Sequence, residues 1–228
     1  MNLENAAADI RYLLDRGYPS GSAVGFVCDH YRLDGEARHL LSRAILPHQV
    51  SERRKARFLP CGEMNGSSIV IDGYNIIIGM ESILEKQAYL CDDGVIRDIK
   101  GVFRNYRASH NTDEAINTIL QFLRKHSPEH VCFLLDSQIS KSGQLAGNLR
   151  ERIGHYGLKG DAKTSKHVDH DLKTSKDIVA SSDGVIIDAA EKVVNFLDCL
   201  VSGFRHLEAG VNRKLSDIKI EAFNDDKK

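Results

Sequence analysis

From Leu3 to Leu59 the apolar positions recur at spacings of three and four. Ile10, Leu13 and Leu14, then Val24, Val27 and Tyr31, then Leu40, Leu41 and Ile45 follow the period of amphipathic helices. Breakers separate these groups. Gly17-Tyr18-Pro19 ends the first helix, Ser20 or Ser22 caps the second, and Asp34 caps a third whose first turn carries Glu36. A fourth short helix is expected from Ser51. Residues 1–60 thus read as a small all-helical module. Residues 61–68, small and polar with Gly62 and Gly66 after Pro60, read as a linker.

The text then changes. Ile69-Val70-Ile71-Asp72 is a β-branched apolar run without alternation, which suits a strand buried on both faces. Val131 to Asp136 and Asp177 to Asp183 repeat the form. Helical patterns fill Ile96 to Tyr106, Asp113 to Lys125 (capped by Thr112), Gly143 to Tyr156 and Ala189 to Phe204. Strands alternating with helices predict an α/β domain over residues 69–205, a parallel sheet flanked by helices. Lys159 to Lys176 has little periodicity and reads as a loop. Residues 206–228 form a C-terminal extension whose Asp-Asp-Lys-Lys end reads as a frayed tail.

Composition narrows the class only a little. With 228 residues, 42% hydrophobic and 28% charged, the chain has the make-up of a globular protein with a real core. The formal net charge is −1, so any nucleic-acid binding must come from a local basic patch. The cysteines Cys28, Cys61, Cys91, Cys132 and Cys199 are odd in number, scattered and never in a C-x-x-C arrangement. That predicts reduced thiols in a cytoplasmic setting, without a disulfide framework or thiolate zinc site. The start lacks the basic and apolar regions of a signal peptide. No apolar run approaches the roughly 20 residues that span a bilayer. The expectation is a soluble, cytoplasmic protein with no membrane partner.

Candidate chemistry sits at the strand ends. Three apolar runs each terminate in an aspartate: Asp72, Asp136 and Asp183. Parallel strands of an open α/β sheet end on one edge, and ligands bind in the crevice outside their carboxyl ends, so these side chains converge there. Clustered carboxylates repel unless a cation joins them, and hard oxygen ligands select Mg²⁺ or Mn²⁺. Taken singly, an aspartate at such a point is as readily a turn or helix cap. Its recurrence at the same place in three runs favours the metal. Asp92-Asp93 before Gly94 reads as a turn and a cap for the next helix. His167 and His170 have no cysteine partners and no His-Glu-x-x-His setting, so they read as exposed loop histidines rather than zinc ligands.

The motifs around these acids are similar to a known family. Ile69-Val-Ile-Asp-Gly-Tyr-Asn-Ile76 resembles the opening strand and loop of NYN domains, a branch of the PIN-like metal-dependent ribonucleases. Leu134-Leu135-Asp136 resembles their second acidic strand end, and Val179-Ala-Ser-Ser-Asp183 their small-Ser-Asp signature. The resemblance covers Ser67 to Phe204. The whole chain also resembles an uncharacterised prokaryotic family that joins a short helical module to such a core. It implies that Asp72, Asp136 and Asp183 are catalytic metal ligands and that Asn75 acts beside them. Asp169 would complete the metal set, and Ser182 would face the substrate. Where the family has Ala-Asp this chain has Val168-Asp169-His170-Asp171, so Asp171 competes with Asp169. Asp188 is a further candidate, or a helix cap.

The implied chemistry is phosphodiester hydrolysis with Mg²⁺ or Mn²⁺ and RNA as partner, needing no side-chain nucleophile. Basic residues near the acids in sequence, Lys141, Arg150 and Lys166 foremost, are candidate phosphate contacts. Arg53-Arg54-Lys55 with Arg57 either extends that track from the helical module or is a charged helix face. Tyr74 either stacks on a base or is buried packing. The helical module is expected to be a separable unit that supports binding or assembly, and a homodimer is left open. One alternative is a non-catalytic RNA-binding or adaptor protein. The other is a phosphatase with an aspartyl nucleophile, which needs a second acid two residues after the first. Asp72 is followed instead by Gly73 and Tyr74.

Overall fold

The computed structural model describes residues 2–98 and 106–213. Four helices open the chain: α1 (Asn2–Asp15), α2 (Ser20–His30), α3 (Gly35–Ala44) and α4 (His48–Lys55). Asp34 caps α3 as expected, its Oδ1 accepting from the Ala37 N–H at 2.8 Å. The cap of α2 is Pro19, with no side-chain hydrogen bond, so neither Ser20 nor Ser22 serves. Similarly α4 starts behind Pro47, three residues before Ser51, because the fixed φ of proline suits a helix start.

The apolar stripes Ala6-Ile10-Leu14, Val24-Val27 and Leu41-Ile45 pack together, and Tyr89 and Cys91 from the later chain join the same cluster. The helical segment therefore has a core distinct from the main one, and two residues of the α/β part pack into it.

The strands are β1 (Phe58–Leu59), β2 (Ser68–Asp72), β3 (Ala88–Leu90), β4 (Ile96–Asp98), β5 (His130–Asp136), β6 (Gly160–Ser165), β7 (Ile178–Ala180), β8 (Val193–Val194) and β9 (Val211–Asn212). The remaining helices are α5 (Gly73–Leu84), α6 (His110–His126), α7 (Ser142–His155), α8 (Val168–Thr174), α9 (Gly184–Ala189) and α10 (Phe196–Gly203). Six strands form one parallel sheet in the order β1-β8-β7-β2-β5-β6. Both faces are covered, as the unalternating runs predict. Ile69, Ile71, Val131, Phe133 and Leu135 enter the main core, while Val70 and Val179 pack with Leu172, Ile186 and Ala190 on the other side. Each such buried side chain contributes roughly 1.5–3 kcal/mol.

Several expectations are corrected. Ile96–Asp98 is a strand, because the turn at Asp92 to Gly94, with Gly94 at φ 75°, folds β4 back on β3. The rest of the helix expected up to Tyr106 falls on residues 99–105, outside the described residues. Lys159 to Lys176 is β6 followed by α8; β6 is an edge strand whose outward residues are polar, so it carries no apolar run. The stretch from Ala189 to Phe204 is divided among the end of α9, β8 and α10. The cap of α6 is Ser109, and Thr112 instead accepts from the Ser109 N–H at 2.8 Å. Phe58 and Leu59 pair with β8, so the sheet reaches into the stretch assigned to the helical module. The Asp-Asp-Lys-Lys end lies outside the described residues.

Cys61 and Cys199 form a disulfide, with their Cα atoms 5.8 Å apart, against the expectation of five reduced thiols. The two are 138 residues apart, and only the packing of the turn at Cys61–Met64 beside α10 brings them together. Cys28, Cys91 and Cys132 are free. No helix among the described residues is long and apolar enough to cross a membrane.

Candidate functional site

Strands β7, β2 and β5 are neighbours in the middle of the sheet. The chain leaves β2 for β5 and β6 on one side, then crosses to β7 and β8 on the other, so the strand order reverses between β2 and β7. Crevices at such switch points, outside the carboxyl ends, are where α/β sheets bind ligands. Asp72 ends β2, Asp136 ends β5, and Asp183 follows β7 as the N-cap of α9. A cavity of about 770 Å³ lies there, lined by Asp72, Asn75, Asp136, Asp169 and Asp183 among others.

Asp72 is the most buried of these acids, at 7% exposed. It reaches its place because Gly73 follows it. A Cβ at Gly73 would sit 2.5 Å from Leu135 Cδ2 and 2.9 Å from the Leu134 carbonyl oxygen, so only glycine lets α5 start this close to β5. Burial pushes the Asp72 carboxyl up to about 7; the Ser181 hydroxyl opposes this, and the charges of Asp183 and Asp169 add to it. Ser181 Oγ donates to Asp72 Oδ2 at 2.8 Å and accepts from the Asp183 N–H at 3.1 Å. Asn75 Oδ1 accepts from the Ser182 N–H at 3.3 Å, tying the start of α5 to the β7–α9 connection.

The other two strand-end acids make the turn and cap hydrogen bonds weighed for them. Asp136 Oδ1 accepts from the Gln138 N–H at 2.8 Å, and Asp183 Oδ1 from the Val185 N–H at 2.7 Å. Each is thus a local turn or cap and also a wall of the cavity. Among the remaining candidates, Asp169 lines the cavity. Asp171 Oδ2 instead accepts from Ser165 Oγ at 2.6 Å, and Asp188 is held by Arg53 and Arg54.

The basic candidates lie elsewhere. Lys141 is the N-cap of α7, Arg150 donates to the Ala162 carbonyl at 2.7 Å, and Lys166 is exposed beyond β6; none of them lines the cavity. Ser182 is 6% exposed and engaged through its backbone, its N–H to Asn75 and its carbonyl to Arg97. Tyr74 is 2% exposed with its ring edge-on to Tyr106, and it lines the acidic cavity. His167 and His170 are exposed.

The basic run is not a free track. Arg54 binds Asp93 and Asp188, Arg57 donates to the Ile187 and Ala190 carbonyls, and Lys55 pairs with Glu52. The guanidinium groups of Arg54 and Arg57 tie the helical segment to α9 and the residue that follows it.

Sequence reasoning missed Ser181, Arg43, Arg97 and Asp98. Arg43 of α3 donates to Asp98 of β4 at 3.0 Å, and both line the acidic cavity. A second cavity of about 320 Å³ shares Arg43, Asn75, Asp98 and Asp183 with the first, and adds Arg54, Arg97, Gly184 and the expected substrate-facing Ser182. No sequence motif marks Arg43, Arg97 or Asp98: Arg43 meets Asp98 across 55 positions, and Arg97 meets Ser182 across 85. Among the described residues, no three His, Cys, Asp or Glu side chains are close enough to hold one ion together.

Residues 61–199 match the family model described as Domain of unknown function (DUF5616), and residues 2–57 match Protein of unknown function (DUF434). An uncharacterized protein of Methanocaldococcus jannaschii is 33% identical over 209 residues, 91% of this chain and 99% of that relative. No solved structure matches the chain.

Proposed function

As the chain belongs to the DUF5616 family of domains of unknown function, we propose from the site itself that it is a metal-dependent nuclease hydrolysing phosphodiester bonds, with RNA as substrate. The observation that carries this reading is the lining of the central cavity. Asp72, Asp98, Asp136, Asp169 and Asp183 face one arginine, Arg43, at the switch point of a parallel sheet. So negative a concavity attracts cations, and an all-oxygen donor set suits a hard one.

The carboxylates do not close on one another, and this bears on the choice of ion. Mg²⁺ keeps several waters and is held by one or two carboxylates plus the phosphates of a substrate. A roomy acid-lined cavity fits that habit better than it fits an all-protein cage. One or two of Asp72, Asp136, Asp169 and Asp183 would hold Mg²⁺ or Mn²⁺ directly, and the others would reach it through its waters. Such an ion supplies Lewis-acid polarisation of a phosphoryl oxygen and a water of lowered pKa. Ser181 and Asn75 fix the carboxylates and the loop that carry them. The choice of RNA follows from the likeness of Ile69 to Ile76 to NYN domains.

A second reading, a non-catalytic RNA-binding or adaptor protein, is favoured by the lack of three mutually close ligating side chains among the described residues. One experiment separates the two. Mn²⁺ binding by calorimetry and cleavage of single-stranded RNA are measured for the wild type, Asp72→Asn and Asp183→Asn. The nuclease reading expects Mn²⁺-dependent cleavage that falls at least about a hundredfold in either variant. RNA binding without cleavage in any divalent metal would replace it with the adaptor.

A further inference from the structure

Resting on the nuclease reading, the geometry points to a phosphate-binding subsite beside the acidic cavity, in which Arg43 of the helical segment takes a phosphate of the substrate strand. The acidic cavity has five aspartates against one arginine in its lining, so a polyanion needs a positive wall to enter it. The adjoining cavity brings three arginines to its lining. Arg43, Arg54 and Arg97 line it against Asp98 and Asp183 alone, and the two cavities meet at Arg43, Asn75, Asp98 and Asp183.

The three arginines differ in what they can offer. Arg97 sends both Nη atoms to Asp93 at 2.8 and 2.7 Å and its Nε to the Ser182 carbonyl at 2.9 Å. Arg54 spends Nε and Nη2 on Asp188 and Nη1 on Asp93. A Cβ at Gly184 would meet Arg54 Nη2 at 2.4 Å, so the guanidinium lies flat against that glycine and is fixed there. These two build the wall, and Asp93 and Asp188 balance their charge.

Arg43 is different. Its one hydrogen bond among the described residues runs from a single Nη to Asp98 Oδ1 at 3.0 Å, with the two side chains 36% and 14% exposed. The guanidinium end of this pair reaches solvent, and it is held through a single hydrogen bond rather than a bidentate pair. A phosphate offers the bidentate geometry that one carboxylate oxygen does not, so Arg43 can exchange Asp98 for substrate. The ligand chemistry is a phosphate group, either the terminal phosphate of an RNA strand or a diester next to the scissile one.

The site is then composite. The relative from Methanocaldococcus jannaschii is likewise matched over 99% of its length, across both the helical and the α/β segments.

The test is anisotropy of fluorescein-labelled single-stranded RNA, 5′-phosphorylated or 5′-hydroxyl, on the full chain in EDTA. Without metal the readout is binding alone, so it stands apart from whether the protein cleaves. Arg43→Ala should weaken binding about tenfold or more and reduce the salt slope by about one. Arg43→Lys should restore the slope but only part of the affinity. Asp98→Asn, which removes the competing carboxylate, should tighten binding. A 5′-phosphate preference that disappears in Arg43→Ala identifies a terminal phosphate, and equal affinity for the two strands identifies an internal diester. Wild-type affinity in Arg43→Ala, or no binding by the wild type in EDTA, would overturn the subsite, whereas binding without cleavage in Mn²⁺ would overturn only the nuclease reading.

Discussion

Ser181 Oγ donates to Asp72 Oδ2 at 2.8 Å across the junction of β7 and β2, where the strand order reverses. The same oxygen accepts from the Asp183 N–H, so one hydroxyl ties together two of the three strand ends that carry acids. Ser181→Ala should therefore cost more when Asp72 is charged than when it is protonated. We expect about 1 kcal/mol at pH 5 and about 2 kcal/mol at pH 8, since hydrogen bonds to charged groups are the stronger ones. Urea denaturation in EDTA at the two pH values measures this. An equal cost at both would mean that the hydroxyl does not hold the carboxylate.

Asp72 also sets a pH dependence. Burial raises its carboxyl to about 7, so between roughly pH 4 and 7 the folded chain keeps a proton that the unfolded chain has released. This stability is complete below the unfolded value and is lost as pH rises through about 7. At about 1.4 kcal/mol per pKa unit, the effect is on the order of 4 kcal/mol. Other acids move the opposite way; Asp93, Asp188 and Glu191 are lowered, so the informative quantity is the difference between proteins. In EDTA, Asp72→Asn should gain on the wild type from pH 5 to pH 8 in thermal melts. Mn²⁺ at pH 8 should narrow the gap by binding the folded wild type. A pH-independent difference would contradict the burial argument.

The Cys61–Cys199 bond closes a stretch of 138 residues. Loops of that size give disulfides their larger stabilisations, and Cys199→Ser should cost about 2–4 kcal/mol. Dithiothreitol should lower the wild-type denaturation midpoint to that of the variant and leave the variant unmoved. A reductant-insensitive wild type would show that the bond carries no stability.

How legible this was follows from the kind of signal each element sends. The β2 and β5 runs, buried on both faces, announced themselves, and so did the amphipathic stripes of α1 to α3 and the Asp34 cap. Edge strand β6 did not, because its outward Asp161 and Lys163 erase any apolar run. Nor did the two-residue strands β1 and β8, which are too short to show a period. Asp72, Asp136 and Asp183 could be placed on one edge because strand direction in a parallel sheet is fixed by topology. Ser181 was within reach, one residue before the Ser182 that the family resemblance selected. Arg43 and Arg97 were not, since only tertiary packing brings α3 and β4 to that edge.

Arg54 gives the sharpest contrast between a basic residue that binds a ligand and one that holds the fold. Its side chain is 12% exposed and bridges Asp93, which is fully buried, to Asp188 on α9. Removing one partner of a buried ion pair leaves an under-compensated charge, which costs 3–5 kcal/mol when the pairing is lost altogether. Asp93 keeps Arg97 at 2.7 Å, so Arg54→Ala should cost less than that, about 2–3 kcal/mol. Its neighbour Arg53 is 57% exposed and also touches Asp188. Exposed pairs contribute little, so Arg53→Ala should stay within about 0.5 kcal/mol. Urea denaturation of the two single variants decides the matter. If Arg53→Ala and Arg54→Ala were equally mild, the run from Arg53 to Arg57 would be a solvated surface after all, open to serve as the phosphate track its sequence suggests.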